Sequence, residues 1–329
     1  MLHLFPSTPS PATPGAEADS MRNALWIDLQ APTDAEIDSV RQATGIDLPG
    51  WAAIAEIEPS SRVRRLDGAL VMNLQLLSGV DSGSPVVTHA SLILTAGQLI
   101  TIRKEDPRPF QTMRASLSQE AQESSATRLL VRLLEQIVDR SADILEGTGE
   151  RIDRLSARIF QFDETANLRL STADLRSILK GIGQVQFLLN KLYESLATQL
   201  RVVNFLLANR AGDTVERPYR PDRQALDALK PLSRDIKSLS SYSSYLIETA
   251  NFLLDSIVGR ISIEQNAVMT VFSVVAVIFL PPTLIATIYG MNFRDMPELA
   301  LPHAYPLVLA VMLLSAMLPY LWFKKKGWL

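Results

Sequence analysis

The sequence predicts an α+β membrane protein with an N-terminal α/β cytoplasmic domain, a long stalk helix and two transmembrane helices. Three observations carry this prediction. Strand patterns fill the first hundred residues and give way to helical patterns after Pro109. The last helical pattern has no glycine between Asp222 and Gly259. It leads directly into the first of two long apolar runs that carry no formal charge.

The N-terminal region has the signals of a small α/β domain. Residues 1–20 are predicted to be a loose lead-in, because most of this stretch is rich in Pro, Ser and Ala. The segment "ALWIDL" at 24–29 predicts a strand. Thr33 followed by Glu36 is a capping-box pattern, and the helix that it begins is predicted to end near Gly45.

Two hairpins and three helical blocks follow. One hairpin is predicted around Asp67–Gly68 and another turns near Gly97. The third helical block begins near Asp222, and Pro231 is expected to kink or restart it. The predicted divisions are residues 1–20 (lead-in), 21–115 (α/β domain), 116–220 (cytoplasmic helical region), 221–266 (stalk helix), 267–290 (first transmembrane helix), 291–303 (extracellular or periplasmic loop), 304–323 (second transmembrane helix) and 324–329 (basic cytoplasmic tail).

The helical block after Pro109 has apolar residues near the 3.6-residue period and acidic residues on its other faces. Two interpretations of the acidic residues are open. They form a solvated face with the interspersed arginines, or they hold a low-affinity Mg²⁺ ion, which takes oxygen ligands and keeps several waters. The apolar residues are Leu130, Leu134, Ile137 and Leu145, and the acidic residues are Glu135, Asp139, Asp143, Glu146, Glu150 and Asp153.

The two apolar runs are long enough to cross a bilayer. Residues 267–289 would span about 34 Å as a helix and residues 304–323 about 30 Å, against a hydrocarbon core of about 30 Å. A pair of buried helices in a soluble protein is the alternative. Such helices seldom continue for 20 residues without a charge, and here two do so in succession.

The flanks of the runs predict their orientation. Tyrosines and a tryptophan lie near the run ends, where amphipathic rings prefer the headgroup level. Arg260 precedes the first run and three lysines follow the second, whereas the connecting loop has only Arg294. The positive-inside rule therefore predicts that both termini are cytoplasmic and the loop is outside. The aromatic residues are Tyr289, Tyr305, Tyr320 and Trp322, and the lysines are Lys324, Lys325 and Lys326.

One stripe of the helix that enters the first run is small or polar at most positions. Polar groups in a membrane helix usually face a cavity or another helix, and small residues also let helices pack closely, so both interpretations are open. Two helices enclose no path, so a channel would need several copies around an axis. The stripe consists of Asp255, Ser262, Asn266, Met269, Ser273, Ala276, Leu280, Thr283 and Thr287.

The segment "YGMNFRDMPEL" follows the first run. Gly290 can be a helix C-terminal cap. In several copies around an axis, Gly290, Met291 and Asn292 would form a filter in which amide oxygens accept hydrogen bonds from hydrated cations. This suits Mg²⁺, which dehydrates reluctantly. Asp295 and Glu298 would form an acidic vestibule that concentrates cations outside.

Composition excludes several classes of function. The chain has 329 residues and a net charge of -3, so no basic excess indicates nucleic acid. It has no cysteine, and its three histidines are too dispersed to predict a zinc site. No nucleophile–base constellation or cofactor motif indicates an enzyme, and no signal peptide is visible.

The motif "YGMNF" followed by "MPEL", with a second run ending in "FKKKGWL", resembles the CorA family of magnesium transport proteins, especially its bacterial members. The upstream segments "ISIEQN" and "NALWIDLQAPTDAE" are also similar to that family. The resemblance touches both ends of the chain and is only loose in the middle.

The resemblance implies a funnel-shaped homopentamer in the bilayer of a bacterial inner (plasma) membrane. It implies influx of Mg²⁺, also of Co²⁺ and in some cases Ni²⁺, driven by membrane potential without a nucleotide. The family's extracellular selectivity filter matches Gly290, Met291 and Asn292. The family's pore-lining Asn, Met and Thr correspond to Asn266, Met269 and Thr283, and the acidic residue at the cytoplasmic end of the pore corresponds to Asp255. A further pore position, which is usually Met in the family, corresponds to Leu280, and the hydrophobic constriction corresponds to Phe272.

The resemblance also implies that intracellular Mg²⁺ is regulatory. Bound Mg²⁺ would screen acidic residues between neighbouring cytoplasmic domains and hold the closed state. Asp235 in "SRDIKSL" is the best metal-ligand candidate of the stalk, and a plain solvated charge is the alternative interpretation.

Two other functions are alternatives to a magnesium channel. A zinc transporter of the same superfamily, coupled to protons, also carries GMN-like motifs, although the "MPEL" loop favours the magnesium branch. A membrane-anchored oligomeric sensor would use its two spans only as a tether. The motif at the outer mouth and the one-sided polar stripe argue against the sensor.

Overall fold

The computed structural model describes residues 1–6, 17–55, 62–66, 68–119, 125–160, 171–208, 223–292, 296–297 and 301–327. Its strands are β1 Leu2–Pro6, β2 Ala24–Gln30, β3 Val63–Leu66, β4 Ala69–Ser78, β5 Val86–Leu94 and β6 Leu99–Arg103. Its helices are α1 Glu17–Asn23, α2 Asp34–Thr44, α3 Trp51–Ile54, α4 Arg108–Gln119, α5 Ala126–Phe160, α6 Thr172–Ala208, α7 Arg223–Tyr289 and α8 Ala304–Lys325. The chain divides into two compact units, Met1–Leu253 and Leu254–Leu329.

The first unit contains a mixed six-stranded sheet in the order β1-β2-β6-β5-β4-β3. Only β2 and β6 are parallel among the paired strands of the described residues. The strand predicted at 24–29 is confirmed as β2, and both predicted hairpins are confirmed as β3–β4 and β5–β6. Gly68 has a φ of +73° in the first turn, which favours glycine there, and Asp67 lies outside the described residues.

The capping box of α2 is confirmed. The Glu36 backbone N–H donates to Thr33 Oγ1 at 3.3 Å, and the Thr33 backbone N–H donates to Glu36 Oε2 at 2.8 Å. Gly45 ends the helix at φ 72°, where the left-handed conformation suits a residue without Cβ. Local signals therefore place both ends of this helix.

The loose lead-in predicted over residues 1–20 is wrong at its beginning. Leu2–Pro6 form the edge strand β1, which pairs antiparallel with β2. Leu2 and Leu4 pack against the apolar core, and the Phe5 ring stacks on Trp26 with centroids 4.9 Å apart. Alternate apolar residues bury one face of this short strand, and that burial outweighs the weak local signal.

A buried ion network joins the sheet to α4. Asp28 and Arg103 are both fully buried, and Arg103 Nη2 donates to Asp28 Oδ2 at 2.7 Å. Arg114 of α4 donates to the same Asp28 oxygen at 3.0 Å and to Asp106 at 2.7 Å. Thr101 Oγ1 donates to Asp28 Oδ1 at 2.7 Å. Each charge has partners, so the pair is tolerated in a dry environment.

The long helices follow the predicted order. The four apolar residues of α5 named above, Leu130, Leu134, Ile137 and Leu145, are all buried. α5 packs against α6, and α6 packs against β4. Gln75 of β4 donates through Nε2 to Glu194 of α6 at 2.9 Å. α7 continues through Pro231 as one helix, so that proline does not restart it.

Candidate ion pathway

The second unit contains the end of α7 and all of α8. α7 has 67 residues, which corresponds to about 100 Å of helix. Its most apolar part has a mean hydropathy of 2.3, and α8 reaches 2.0. Only 6% of each apolar segment is buried within the chain. A core helix of a soluble protein would be mostly buried, so the exposure favours membrane spans.

The polar stripe of α7 is exposed along its length. Successive stripe residues from Ser262 to Thr287 lie alternately four and three positions apart, so they share one helix face. Met269 is 63% exposed, Leu280 68% and Phe272, at the edge of the stripe, 67%. The less exposed residues of this segment lie on another face and include Thr270, Val274, Ile278, Pro281 and Ile285.

The hydroxyl groups of the stripe donate their protons to their own helix. Thr283 Oγ1 donates to the Phe279 carbonyl at 2.7 Å, and Thr287 Oγ1 donates to the Thr283 carbonyl at 2.7 Å. Ser273 Oγ donates to the Met269 carbonyl at 2.8 Å. A hydroxyl that has used its only proton can still accept hydrogen bonds, so this face offers acceptors.

Gly290 lies where α7 ends. Its N–H donates to the Ala286 carbonyl at 2.9 Å, and the Met291 N–H donates to the Ile288 carbonyl at 3.2 Å. Gly290 is not in the left-handed conformation of a glycine cap. A Cβ at this position would lie 3.1 Å from the Ala286 oxygen, so close backbone approach is what favours glycine.

The structure describes only some of the other residues that are predicted at the outer mouth. Met291 and Asn292 are exposed directly beyond the helix end. Asp295 and Glu298 lie outside the described residues, so the predicted acidic vestibule stays a prediction. The three residues predicted to form a filter, Gly290, Met291 and Asn292, therefore follow directly after the end of the helix that contains the stripe, and their role as a filter stays a prediction.

The acidic candidates for metal binding are on helix surfaces. Asp255 is exposed on α7, and so is Asp235 in the first unit. Partial burial raises the pKa of Asp139 on α5, and the charges of Asp143 and Asp235 raise it further. Asp139 and Asp235 are far apart in the chain, so no local sequence signal predicts that their charges interact.

The six acidic residues of α5 do not form a metal site in one chain. Across the described ranges, no three His, Cys, Asp or Glu side chains gather closely enough to hold a metal ion. One of them is paired with an arginine: Glu150 Oε2 lies 3.4 Å from Arg154 Nη1.

Known proteins are similar to this chain over nearly its whole length. The family model for the "CorA-like Mg2+ transporter protein" matches residues 22–325. A "Magnesium transport protein CorA" from Haemophilus ducreyi is 30% identical over 312 residues, which cover 94% of each chain. A protein of the same description from Escherichia coli K12 is 32% identical over 317 residues, 95% of this chain and 94% of the relative.

A solved structure has the same fold. The complete structure of the CorA magnesium transporter from Methanocaldococcus jannaschii matches with a TM-score of 0.73 at 20% identity, and the match covers 93% of this chain and 92% of that one. The predicted fold class is confirmed: an N-terminal mixed α/β domain, a long helix and two long apolar helices.

Proposed function

The chain belongs to the CorA-like Mg²⁺ transporter family, and on this premise we propose that several copies of α7 surround a pore that passes hydrated Mg²⁺. Family membership makes the protein a CorA-type Mg²⁺ transporter rather than an enzyme. It is a membrane protein with two candidate spans. The pore itself is our proposal.

The exposed acceptor face of α7 is the observation that carries the proposal. A hydrated cation presents water hydrogens, so it needs acceptors and gains nothing from donors. The hydroxyl groups of Thr283, Thr287 and Ser273 already donate their hydrogen bonds to backbone carbonyls. Their oxygens therefore match the water shell of an ion that dehydrates reluctantly. The Asn292 amide oxygen would repeat this chemistry at the outer end.

Assembly is required because one chain encloses no path. A single α7 exposes its stripe, and a closed ring of identical copies would bury it around an axis. We propose five copies in a funnel-shaped homopentamer, the assembly that the family resemblance implies. Alternating four- and three-residue spacing gives an average of 3.5, which suits side-by-side packing of long helices.

Three large apolar side chains interrupt the acceptor face. Met269, Phe272 and Leu280 are exposed in one chain, and rings of them would narrow the pore. A hydrophobic constriction stops ions when water leaves it. We propose that these rings form the gate and that the polar residues between them hold the ion in transit. Asp255 would attract cations at the cytoplasmic end.

Regulation by intracellular Mg²⁺ is a further part of the proposal. Burial raises the pKa of Asp139, and repulsion from the carboxylates of Asp143 and Asp235 raises it further. A divalent cation near Asp235 would relieve this repulsion and favour the closed state. Waters and groups of neighbouring copies would complete its coordination, because Mg²⁺ keeps several waters.

The physiological setting follows from the flanking charges and the family. We propose a bacterial inner (plasma) membrane, with both termini in the cytoplasm and Asn292 outside. Influx would be driven by the membrane potential, and Co²⁺ and Ni²⁺ are further candidate substrates. The acidic Asp295 and Glu298 would raise the cation concentration at the entrance.

Ion flux into liposomes tests the proposal. Purified protein would be reconstituted with an internal Mg²⁺-sensitive dye under a negative-inside potential. We expect fast Mg²⁺ entry in wild type and in the control Asn23→Ala, whose side chain is exposed in the first unit. Asn292→Ala should reduce entry to the level of empty liposomes, because it removes the amide oxygens of the filter.

Two outcomes would redirect the proposal. Zinc entry that carries protons, with little Mg²⁺ flux, would assign the protein to the zinc-transporting alternative. Absence of flux from folded, oligomeric protein would support the sensor. Equal Mg²⁺ entry in wild type and Asn292→Ala would remove Asn292 from the filter.

A further inference from the structure

The first unit has a pocket of about 210 Å³ beside α3. Its walls come from α3, from β5 and from the residues after β6. They include Trp51, Ile54, Val87, His89, Lys104 and Glu105. One wall is aromatic and apolar, and the other has groups that can donate hydrogen bonds, so the pocket is built for a ligand with both characters.

Two donors line the pocket directly. Lys104 Nζ lies 5.1 Å from the centroid of the Trp51 ring, and a cation over an aromatic face is held in place. His89 is half-buried, and burial followed by the charge of Arg62 lowers its pKa. A neutral imidazole keeps one N–H to donate. Glu105 is the opposing charge in the lining.

Arg62 is a buried positive charge that acts on His89, although it is not one of the residues that line the pocket. It is 7% exposed, and its Nη1 is buried without a hydrogen-bond partner in the part of the chain that the structure describes. Burial lowers its pKa, and the charge of Arg201 lowers it further. A buried guanidinium N–H without a partner destabilises the fold unless an acceptor pairs with it, and an anion is a strong acceptor.

Glu194 does not meet this need. It is the one opposing charge that acts on Arg62 among the described residues. Its Oε2 already accepts from Gln75 Nε2 at 2.9 Å and from Lys191 Nζ at 3.0 Å. Glu194 does not accept from Arg62 Nη1, because that nitrogen has no hydrogen-bond partner among the described residues.

We propose that this pocket binds a small oxyanion, a phosphate or carboxylate group, which accepts from the lining residues His89 and Lys104 and is attracted by the charge of Arg62. An organic part of the ligand would lie against Trp51, Ile54 and Val87. The ligand is separate from the transported cation, so the proposal does not depend on ion flux. Its source is either free inorganic phosphate or a small organic anion with a flat apolar part.

Calorimetric titration of the full-length protein in detergent tests the proposal. The probes are inorganic phosphate and phenyl phosphate in Mg²⁺-free buffer, with sodium chloride at equal ionic strength as the blank. We expect saturable binding of one anion per chain. Lys104→Gln should weaken it about tenfold, since a charge-assisted hydrogen bond is lost. His89→Gln and Arg62→Gln should also weaken it.

Lys180→Gln is the matched control, because Lys180 is an exposed lysine of α6 outside the pocket. It should bind both probes as wild type does. Tighter binding of phenyl phosphate would identify an organic anion as the ligand, and equal binding would identify inorganic phosphate. No saturable binding, or equal weakening by Lys104→Gln and Lys180→Gln, would overturn the proposal even if Arg62→Gln fails to fold.

Discussion

The two units of the chain treat polar side chains in opposite ways. In the first unit, Asp28 and Arg103 are fully buried and bond to each other, with Arg114 and Thr101 as further partners. In the second unit, Thr283 and Thr287 are exposed. Their hydroxyl groups donate to backbone carbonyls, and the hydroxyl oxygens can still accept hydrogen bonds. Bonding capacity that a chain uses up internally supports the fold, and capacity that it leaves facing outward is available to a ligand.

Removing a member of the buried network should give the largest effect on stability. Asp28→Ala would leave the buried Arg103 with Asp106 as its remaining carboxylate and would remove the Asp28 contact of Arg114. Breaking a buried ion pair in this way costs about 3–5 kcal/mol of unfolding free energy. Urea unfolding in detergent, followed by tryptophan fluorescence, measures this. The control is Asp19→Ala, whose side chain is 74% exposed and should change little. Equal losses in both variants would contradict a structural role for Asp28.

The stripe gives a prediction about transport rather than stability. Thr283→Val keeps the side-chain shape and removes the acceptor, so Mg²⁺ entry should fall about tenfold, equivalent to ~1.4 kcal/mol. Thr270→Val is the matched control, because Thr270 Oγ1 donates to the Asn266 carbonyl at 2.8 Å but lies on the half-buried face. If Thr270→Val reduces entry as strongly, the exposed stripe is not the path.

The surface of the first unit gives the smallest effect. Asp81 Oδ1 accepts from Arg140 Nη2 at 2.7 Å, and this hydrogen bond lowers the pKa of Asp81 below its ordinary value of 3.8. A lowered carboxyl pKa contributes stability that is present above pH 3.8 and is lost as the pH falls through the folded value.

Asp81→Asn should therefore remove a small part of the stability difference between pH 7 and pH 3. The side chain is 64% exposed, so solvent screening keeps the contribution below about 1 kcal/mol. Unfolding midpoints of both proteins at the two pH values measure it. A larger acid sensitivity in Asp81→Asn than in wild type would show that the sign is wrong.

The features of this molecule that can be predicted from its sequence are those that depend on local patterns. Thr33, Glu36 and Gly45 determine the ends of α2 through hydrogen bonds between residues a few positions apart, so both helix ends can be predicted from the sequence. The apolar runs and the α7 stripe are equally local, because helical periodicity alone puts stripe residues on one face.

Local sequence patterns do not predict the contacts between segments that are distant in the chain. Asp28 and Arg103 are 75 residues apart, and the sequence around either residue does not predict that they form a buried ion pair. β1 is missed because five residues carry too little pattern without their partner strand. The proximity of Asp139 to Asp235 and of His89 to Arg62 likewise depends on tertiary packing.

The internal hydrogen bonds of Thr283 and Thr287 also fix the side-chain rotamers. A threonine whose hydroxyl is tied to the carbonyl four residues earlier cannot rotate freely about χ1. Its conformational entropy is lost once, when the helix forms, and not at each passage of an ion. The lining of the proposed pore is thus preorganised, and ion after ion would meet the same arrangement of oxygens.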